Sequence, residues 1–158
     1  MTVDSTEILI KLRKIVRSIN LESKKIQKNY GVSIPQLLSL EYLNKAPNYQ
    51  ATQKELRDYL NLNSSTVTGI INRLEKKGFI ARLPKKDDKR TTHIIMTSKG
   101  SKLLQTTPRL LHEKLSKKLE NLPEDHTNDI NEALNLIIDY LDIDDIDASP
   151  VITVEDKL

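Results

Sequence analysis

The sequence has no cysteine and only four glycines among its 158 residues. It also has no apolar run approaching the roughly 20 residues that a membrane-crossing helix requires. Without cysteine there are no disulfides, no thiolate metal sites, no thiol redox sensing and no cysteine nucleophile. Scarce glycine, and the lack of any Gly/Ser-rich linker or internal repeat, leaves few flexible hinges. Met1-Thr2-Val3-Asp4 lacks the basic-then-apolar opening of a secretory leader, so export by that route is not expected. A cytoplasmic location is compatible with the missing cysteine. What is present, 37% hydrophobic and 30% charged residues, is the composition of a globular chain of about one domain's length.

Charge is segregated along the chain. Residues 1–50 carry 8 Lys/Arg against 4 Asp/Glu, residues 51–102 carry 12 against 5, and residues 103–158 carry 5 against 13. A basic middle and an acidic C-terminal third fit a polyanion-facing module built onto something else. Solvated surface charge with no partner is the alternative.

Hydrophobic spacing predicts mostly helix. Ile8, Leu12, Ile15 and Ile19, widened by Leu9 and Val16, form the apolar face of a helix over about 5–29 that Gly31 ends. Ser33-Ile34-Pro35-Gln36 is a capping box with proline in the first turn, and Leu37, Leu40 and Leu43 follow as a buried face up to Ala46-Pro47-Asn48. Thr52-Gln53-Lys54-Glu55 is a second capping box, opening a short helix to about Leu60 with Leu56 and either Tyr59 or Leu60 inside. Ser64 or Asn63 caps the next helix, about 64–77, whose stripe is Val67, Ile70, Ile71 and Leu74 and whose stop is Gly78. The period then falls to two. Phe79-Ile80-Ala81-Arg82-Leu83 and His93-Ile94-Ile95-Met96-Thr97 are strand-like and are joined by the polar run 84–92. Thr97 or Ser98 starts another helix. Two more helices follow, broken near Leu122-Pro123, the first carrying Leu104, Leu111, Leu115 and Leu119 and the second Ile130, Leu134, Ile137 and Leu141. From Asp142 onward the composition is that of a frayed acidic tail.

The central order is helix, short turn, helix, strand, charged loop, strand, the order of a helix-turn-helix followed by a wing. The outer face of the second helix offers Ser64, Ser65, Thr66, Thr68, Asn72 and Arg73. Small hydroxyl residues near its amino end can approach phosphates or base edges, although Ser64, Ser65 and Thr66 would also serve as ordinary caps. Gly69 lies in mid-helix, where it costs about 1 kcal/mol relative to alanine. Close approach to another backbone or to DNA would account for it, and so would simple tolerance. At the wing, Lys85, Lys86, Lys89 and Arg90 surround Asp87 and Asp88. In an extended loop Asp88 and Arg90 share a side, so the carboxylate can orient the guanidinium for a minor groove. A solvated turn with an incidental ion pair is the alternative.

With Ser64-Ser65-Thr66-Val67-Thr68, Ile71-Asn72-Arg73-Leu74-Glu75-Lys76-Lys77-Gly78-Phe79-Ile80, Arg82, Asp87-Asp88-Lys89-Arg90 and Ile95-Met96-Thr97-Ser98-Lys99-Gly100, the chain resembles the multiple-antibiotic-resistance regulator (MarR) family of winged-helix transcription factors. The motif spans 56–104, and helix order extends the likeness over about 5–142. The resemblance implies a mainly α (α+β) fold, a winged helix-turn-helix with an α-helical dimerisation domain formed by N- and C-terminal helices. On that division residues 1–32 and 101–142 dimerise, 33–100 bind DNA and 143–158 are an acidic tail. It implies a homodimer on a pseudo-palindromic operator, usually as a repressor, often released by a small aromatic or phenolic effector. Ser65, Thr66, Thr68 and Arg73 would contact the operator from the recognition helix, beside Ser64, Asn72, Arg82 and Lys89. Arg90 would read the minor groove with Asp88 orienting it, and Lys85 and Lys86 would grip phosphate. The apolar stripes of the terminal helices agree, because two-fold association would bury them and match a two-fold operator; a monomer burying the same faces internally is the alternative.

Tyr30, Tyr42 and Tyr49 are candidates for an effector pocket, with core or surface packing as the alternative. His93, His112 and His126 lack paired ligand spacing, no Gly-rich phosphate loop is present, and the acidic run from Asp142 lacks the glycine and closing glutamate of a calcium loop. No metal, cofactor or catalytic activity is expected, nor any membrane association. The sequence therefore points to a regulator that binds double-stranded DNA, the main rival being a winged-helix module whose wing meets an acidic partner protein.

Overall fold

Local caps set the ends of the first four helices. The computed structural model describes residues 2–84 and 91–148. Asp4 accepts a hydrogen bond from the Thr6 amide and opens α1 (Ser5–Tyr30), which stops where Gly31 turns left-handed at φ +68°. Ser33 and Gln36 form the expected reciprocal box at the start of α2 (Ile34–Lys45), and Thr52 and Glu55 form another at the start of α3 (Gln53–Leu60). α4 (Ser64–Lys76) is capped by Asn63, whose side chain accepts from the Thr66 amide at 2.8 Å. None of Ser64, Ser65 and Thr66 is the cap, because Asn63 already occupies the extended position before the first turn.

By their own contacts the described residues divide into two units, one running from residue 2 to residue 107 with Ala148 and the other covering residues 108–147. The first holds α1 to α4, a three-stranded sheet and α5 (Ser98–Thr106). The sheet is antiparallel, in the order β1–β3–β2, with β1 at Gln50–Thr52, β2 at Ile80–Arg82 and β3 at His93–Met96. Ala51 faces Ile94 across one edge, and Ala81 faces Ile95 across the other. β2 and β3 match the expected strands. β1 was not expected. It follows a single 3-10 turn at Pro47–Tyr49, has one apolar residue, and exists because β3 offers it a free edge.

α2 is the hub of this unit. Leu37, Leu40 and Leu43 are buried as expected, but so are Ile34, Gln36, Leu38 and Ser39, so the helix is covered nearly all round rather than on one stripe. It packs against α3, α4, α5 and β3. Its polar members are satisfied locally: Gln36 accepts from the Ser33 amide, and the Ser39 hydroxyl donates to the Pro35 carbonyl at 2.8 Å. Against it lie Leu56 and Leu60 of α3 and Val67, Ile70, Ile71 and Leu74 of α4, all buried, whereas Tyr59 stays on the outside. Burying such a side chain is worth about 1.5–3 kcal/mol, so the four α4 anchors dominate how that helix is held.

Two polar contacts refine the arrangement. The Gln53 amide group donates to the Thr68 hydroxyl at 2.7 Å, and that hydroxyl donates in turn to the Ser64 carbonyl at 2.8 Å, tying the start of α3 to the first turns of α4. Gly100 lies so close under the β2 entry that a Cβ there would collide with the Phe79 carbonyl oxygen and sit 3.0 Å from Met96 Cγ.

The second unit contains α6 (Leu111–Glu120) and α7 (Glu124–Tyr140). Leu104 belongs to α5 and not, as the leucine spacing suggested, to the helix of Leu111, Leu115 and Leu119. Pro108 separates them: the residue before a proline is driven to extended backbone, and Thr107 has ψ 145°. α7 carries Ile130, Leu134 and Ile137, with Leu141 just past its end. No described helix is long and apolar enough to cross a membrane.

Two substitutions test this packing by urea unfolding. Gly100→Ala is expected to lose about 1–3 kcal/mol despite alanine's better helix propensity, because its methyl group meets backbone that cannot move alone. Thr68→Val, which keeps the shape and removes the hydroxyl, should lose about 1 kcal/mol.

Candidate nucleic-acid interface

The same burial that holds α4 leaves its other half bare. Positions 67, 70, 71 and 74 face inward, so Ser65, Gly69 and Asn72 fall on the opposite side at helical spacing, with Thr66, Thr68 and Arg73 flanking. Between Ser64 and Leu74 this helix has no acidic side chain. The outward residues of its first two turns are small, which lets the helix axis approach a partner closely.

Each expected site residue on α4 has a definite setting. The Ser65 hydroxyl donates to the Asn63 side chain at 2.8 Å. The Ser64 hydroxyl accepts from the Arg57 guanidinium at 3.2 Å, which brings a cation from α3 to the amino end of α4. There the helix dipole adds partial positive charge, so the end suits an anion such as phosphate. The Thr68 hydroxyl is committed to Gln53 and Ser64, which gives it an internal role in holding the helix pair together. Arg73 is half-buried, its guanidinium folded back over Gly69.

Arg82, on β2, reaches back to α4. One guanidinium nitrogen donates to the Asn72 side-chain oxygen and the other pairs with the Glu75 carboxylate. Arginine can only donate, so Asn72 must turn its oxygen toward Arg82 and keep its NH2 group as the end that can donate to a ligand. Arg82 thus orients Asn72 and joins the helix to the first strand of the wing.

The tip of the wing, with Lys85, Lys86, Asp88, Lys89 and Arg90, lies outside the described residues. Its base is anchored. The Leu83 amide donates to the His93 carbonyl, and the Gln53 amide donates to the Thr92 carbonyl, each at 2.9 Å. The loop therefore leaves and returns at fixed points beside α3 and β3.

Gln53, Arg57 and Glu75 are the members of this surface that sequence reading missed. Gln53 and Glu75 act through partners 15 and 7 residues away, and no local pattern marks such pairs. Arg57 stands one helix upstream of the serine it reaches.

The three tyrosines have different settings. Tyr42 packs on Tyr59 with ring centroids 4.8 Å apart, and burial, then Glu41 and Tyr42, raise the Tyr59 phenol above its ordinary pKa. Tyr30 is half-buried at the end of α1, and Tyr49 is 54% exposed on the 3-10 turn. A groove along α1, lined by Leu9, Ile10, Leu12, Val16 and Leu21, includes none of them.

Comparison with known proteins agrees with this geometry. Residues 32–92 match the MarR family. The HTH-type transcriptional regulator YfiV of Bacillus subtilis (strain 168) is 24% identical over 137 residues, covering 87% of this chain and 84% of its own. The HTH-type transcriptional repressor YetL of the same organism is 24% identical over 139 residues, covering 88% and 83%. Sco3205, a MarR family transcriptional regulator from Streptomyces coelicolor solved in complex with DNA, shares the fold with a TM-score of 0.62 at 22% identity, covering 95% of this chain and 96% of its own. Residues 32–92 thus match the MarR family, and over most of its length the chain is similar to HTH-type transcriptional regulators and shares the fold of a MarR family regulator.

Proposed function

We propose that the protein is a homodimeric repressor that binds a pseudo-palindromic operator in duplex DNA, with α4 in the major groove and the 84–92 loop as a wing toward the minor groove. The observation that carries this reading is the one-sided burial of α4, which leaves a slim polar face set between Arg57, Arg73 and Arg82. Ser64, Ser65 and Thr66 would meet phosphate or base edges near the amino end, while Asn72 and Arg73 reach further. Thr68 and Arg82 support that face from within. Lys85, Lys86 and Lys89 would add phosphate contacts, and Arg90, oriented by Asp88, would enter the minor groove. These wing roles rest on sequence and resemblance.

Dimerisation, with residues 1–32 and 101–142 as its region and 143–158 as a tail, is supported by apolar surface that a single chain leaves in water. On α1, Leu9, Ile15 and Val16 are each more than half exposed, and in the second unit Leu115 is 58% and Leu134 48% exposed. Surfaces of that kind mark association sites. A second copy would cover them and give the two half-sites of a palindrome two matching readers. Repression is the activity that YetL carries in its name. A small aromatic effector, implied by the resemblance, would release DNA only by binding the non-DNA-binding arrangement more tightly.

Duplexes selected from a random library provide the test. The logarithm of affinity should fall linearly with the logarithm of salt concentration, with a slope of roughly −5 if about six phosphates are neutralised. Arg90→Ala should weaken binding by about 1–3 kcal/mol with folding unchanged. Binding that ignores salt, or an acidic protein surface that outcompetes DNA, refutes the reading. Sedimentation of the wild type should give twice the single-chain mass. Ile15→Glu combined with Leu134→Glu, at exposed positions, should give monomers that bind the same duplex far more weakly.

A further inference from the structure

Gly69 stands near the middle of the outward face of α4, at a position where the helix would be more stable with alanine. Its neighbourhood explains the choice. A Cβ built at Gly69 would meet Arg73 Nη1 at 3.2 Å, Nη2 at 3.5 Å and Cζ at 3.6 Å, so the three nearest atoms all belong to one guanidinium. Side chains on a helix slope toward its amino end, and residues four apart lie one above the other. Arg73 follows that slope, and its planar head rests where the side chain of residue 69 would be.

We propose that Gly69 is a specificity-determining positioning residue: by having no side chain, it seats the Arg73 guanidinium flush against the middle of the recognition helix, in place to read a guanine edge. The inference rests on the DNA-binding reading above. A guanidinium laid along the helix presents its fork from the centre of the groove-facing surface, one turn nearer the amino end than the Arg73 backbone. A two-pronged donor in a fixed plane matches the two acceptors, O6 and N7, that guanine shows in the major groove. A side chain at 69 lifts the guanidinium by a few tenths of an ångström or more and tilts the fork. Asn72, held by Arg82, borders the same surface, so the two longer side chains of this face are each oriented by a neighbour rather than left to find their own rotamer.

The experiment uses the full chain as wild type, Gly69→Ala, Arg73→Ala and the double variant. Thermal unfolding is measured, together with affinity at constant salt for the library-selected duplex and for duplexes changed one position at a time. Gly69→Ala should melt at a higher temperature than wild type and yet bind the selected duplex roughly fivefold more weakly or worse, the lower bound of what one bidentate arginine–base pair contributes. The loss should be confined to duplexes carrying guanine at one position per half-site. In the Arg73→Ala background, Gly69→Ala should change affinity no further. The proposal is overturned if Gly69→Ala binds like wild type. It is equally overturned if the variant weakens all sequences alike, or by the same factor with and without Arg73, because the groove would then require only a thin helix. Failure of the wild type to select any duplex would bring down the DNA-binding reading itself, and this inference with it.

Discussion

The surface depends on α4 being held by one side only. Val67, Ile71 and Leu74 are fully buried and Ile70 nearly so, and these four side chains span less than half the circumference of the helix. Had the stripe been wider, no bare face would remain. Had it been narrower, a 13-residue helix with a glycine in its middle would lack the tertiary packing that short helices depend on. The counterpart is α2, which is buried nearly all round and so offers a fixed wall to α3, α4, α5 and β3 at once. The inner helix sacrifices any surface of its own, and the outer helix gains one.

Apolar packing fixes depth, but polar contacts fix angle. Five of them act on α4, at its amino half, its outer edge and its carboxyl end. Gln53 holds its amino half through Thr68, and Arg82 holds its outer edge through Asn72 and Glu75. At its carboxyl end the Lys77 ammonium donates to the Gly31 carbonyl at 2.6 Å, while Lys99 donates to the Lys77 carbonyl at 2.7 Å. Each such bond contributes about 1 kcal/mol, far less than the apolar anchors. Their value is directional. Gly31 is the last cap of α1, where the helix dipole is negative and a cation is favoured, so the end of α1 and the end of α4 are referenced to each other.

Helix ends were legible because their causes are local. Two capping boxes, Asn63 and Gly31 act within a few residues, and the starts of α2, α3 and α4 and the end of α1 follow from them. One misreading arose where a distant partner decides, and another where a local proline was outweighed by leucine spacing. β1 has only Ala51 as an apolar residue and is a strand solely because β3 pairs with it. The run Leu104, Leu111, Leu115 and Leu119 imitates one helical stripe, yet Pro108 interrupts it, and the proline was the more informative signal. The site divides the same way. Its exposed positions on α4 are the complement of a hydrophobic stripe and could be read directly. The commitment of Thr68 to Gln53, and of Asn72 to Arg82, required the fold.

Gly69 and Gly100 both sit inside helices, where glycine is unfavourable, and they show how structure separates two reasons for it. At Gly100 the obstacle to a side chain is the Phe79 backbone, part of the packing that joins α5 to the sheet, so this glycine is a requirement of folding. At Gly69 the obstacle is the far end of a flexible arginine side chain and not backbone. A residue that weakens its helix without relieving any clash in the core is not explained by stability. What Gly69 changes is where a cation lies on the one face of α4 that the core leaves uncovered.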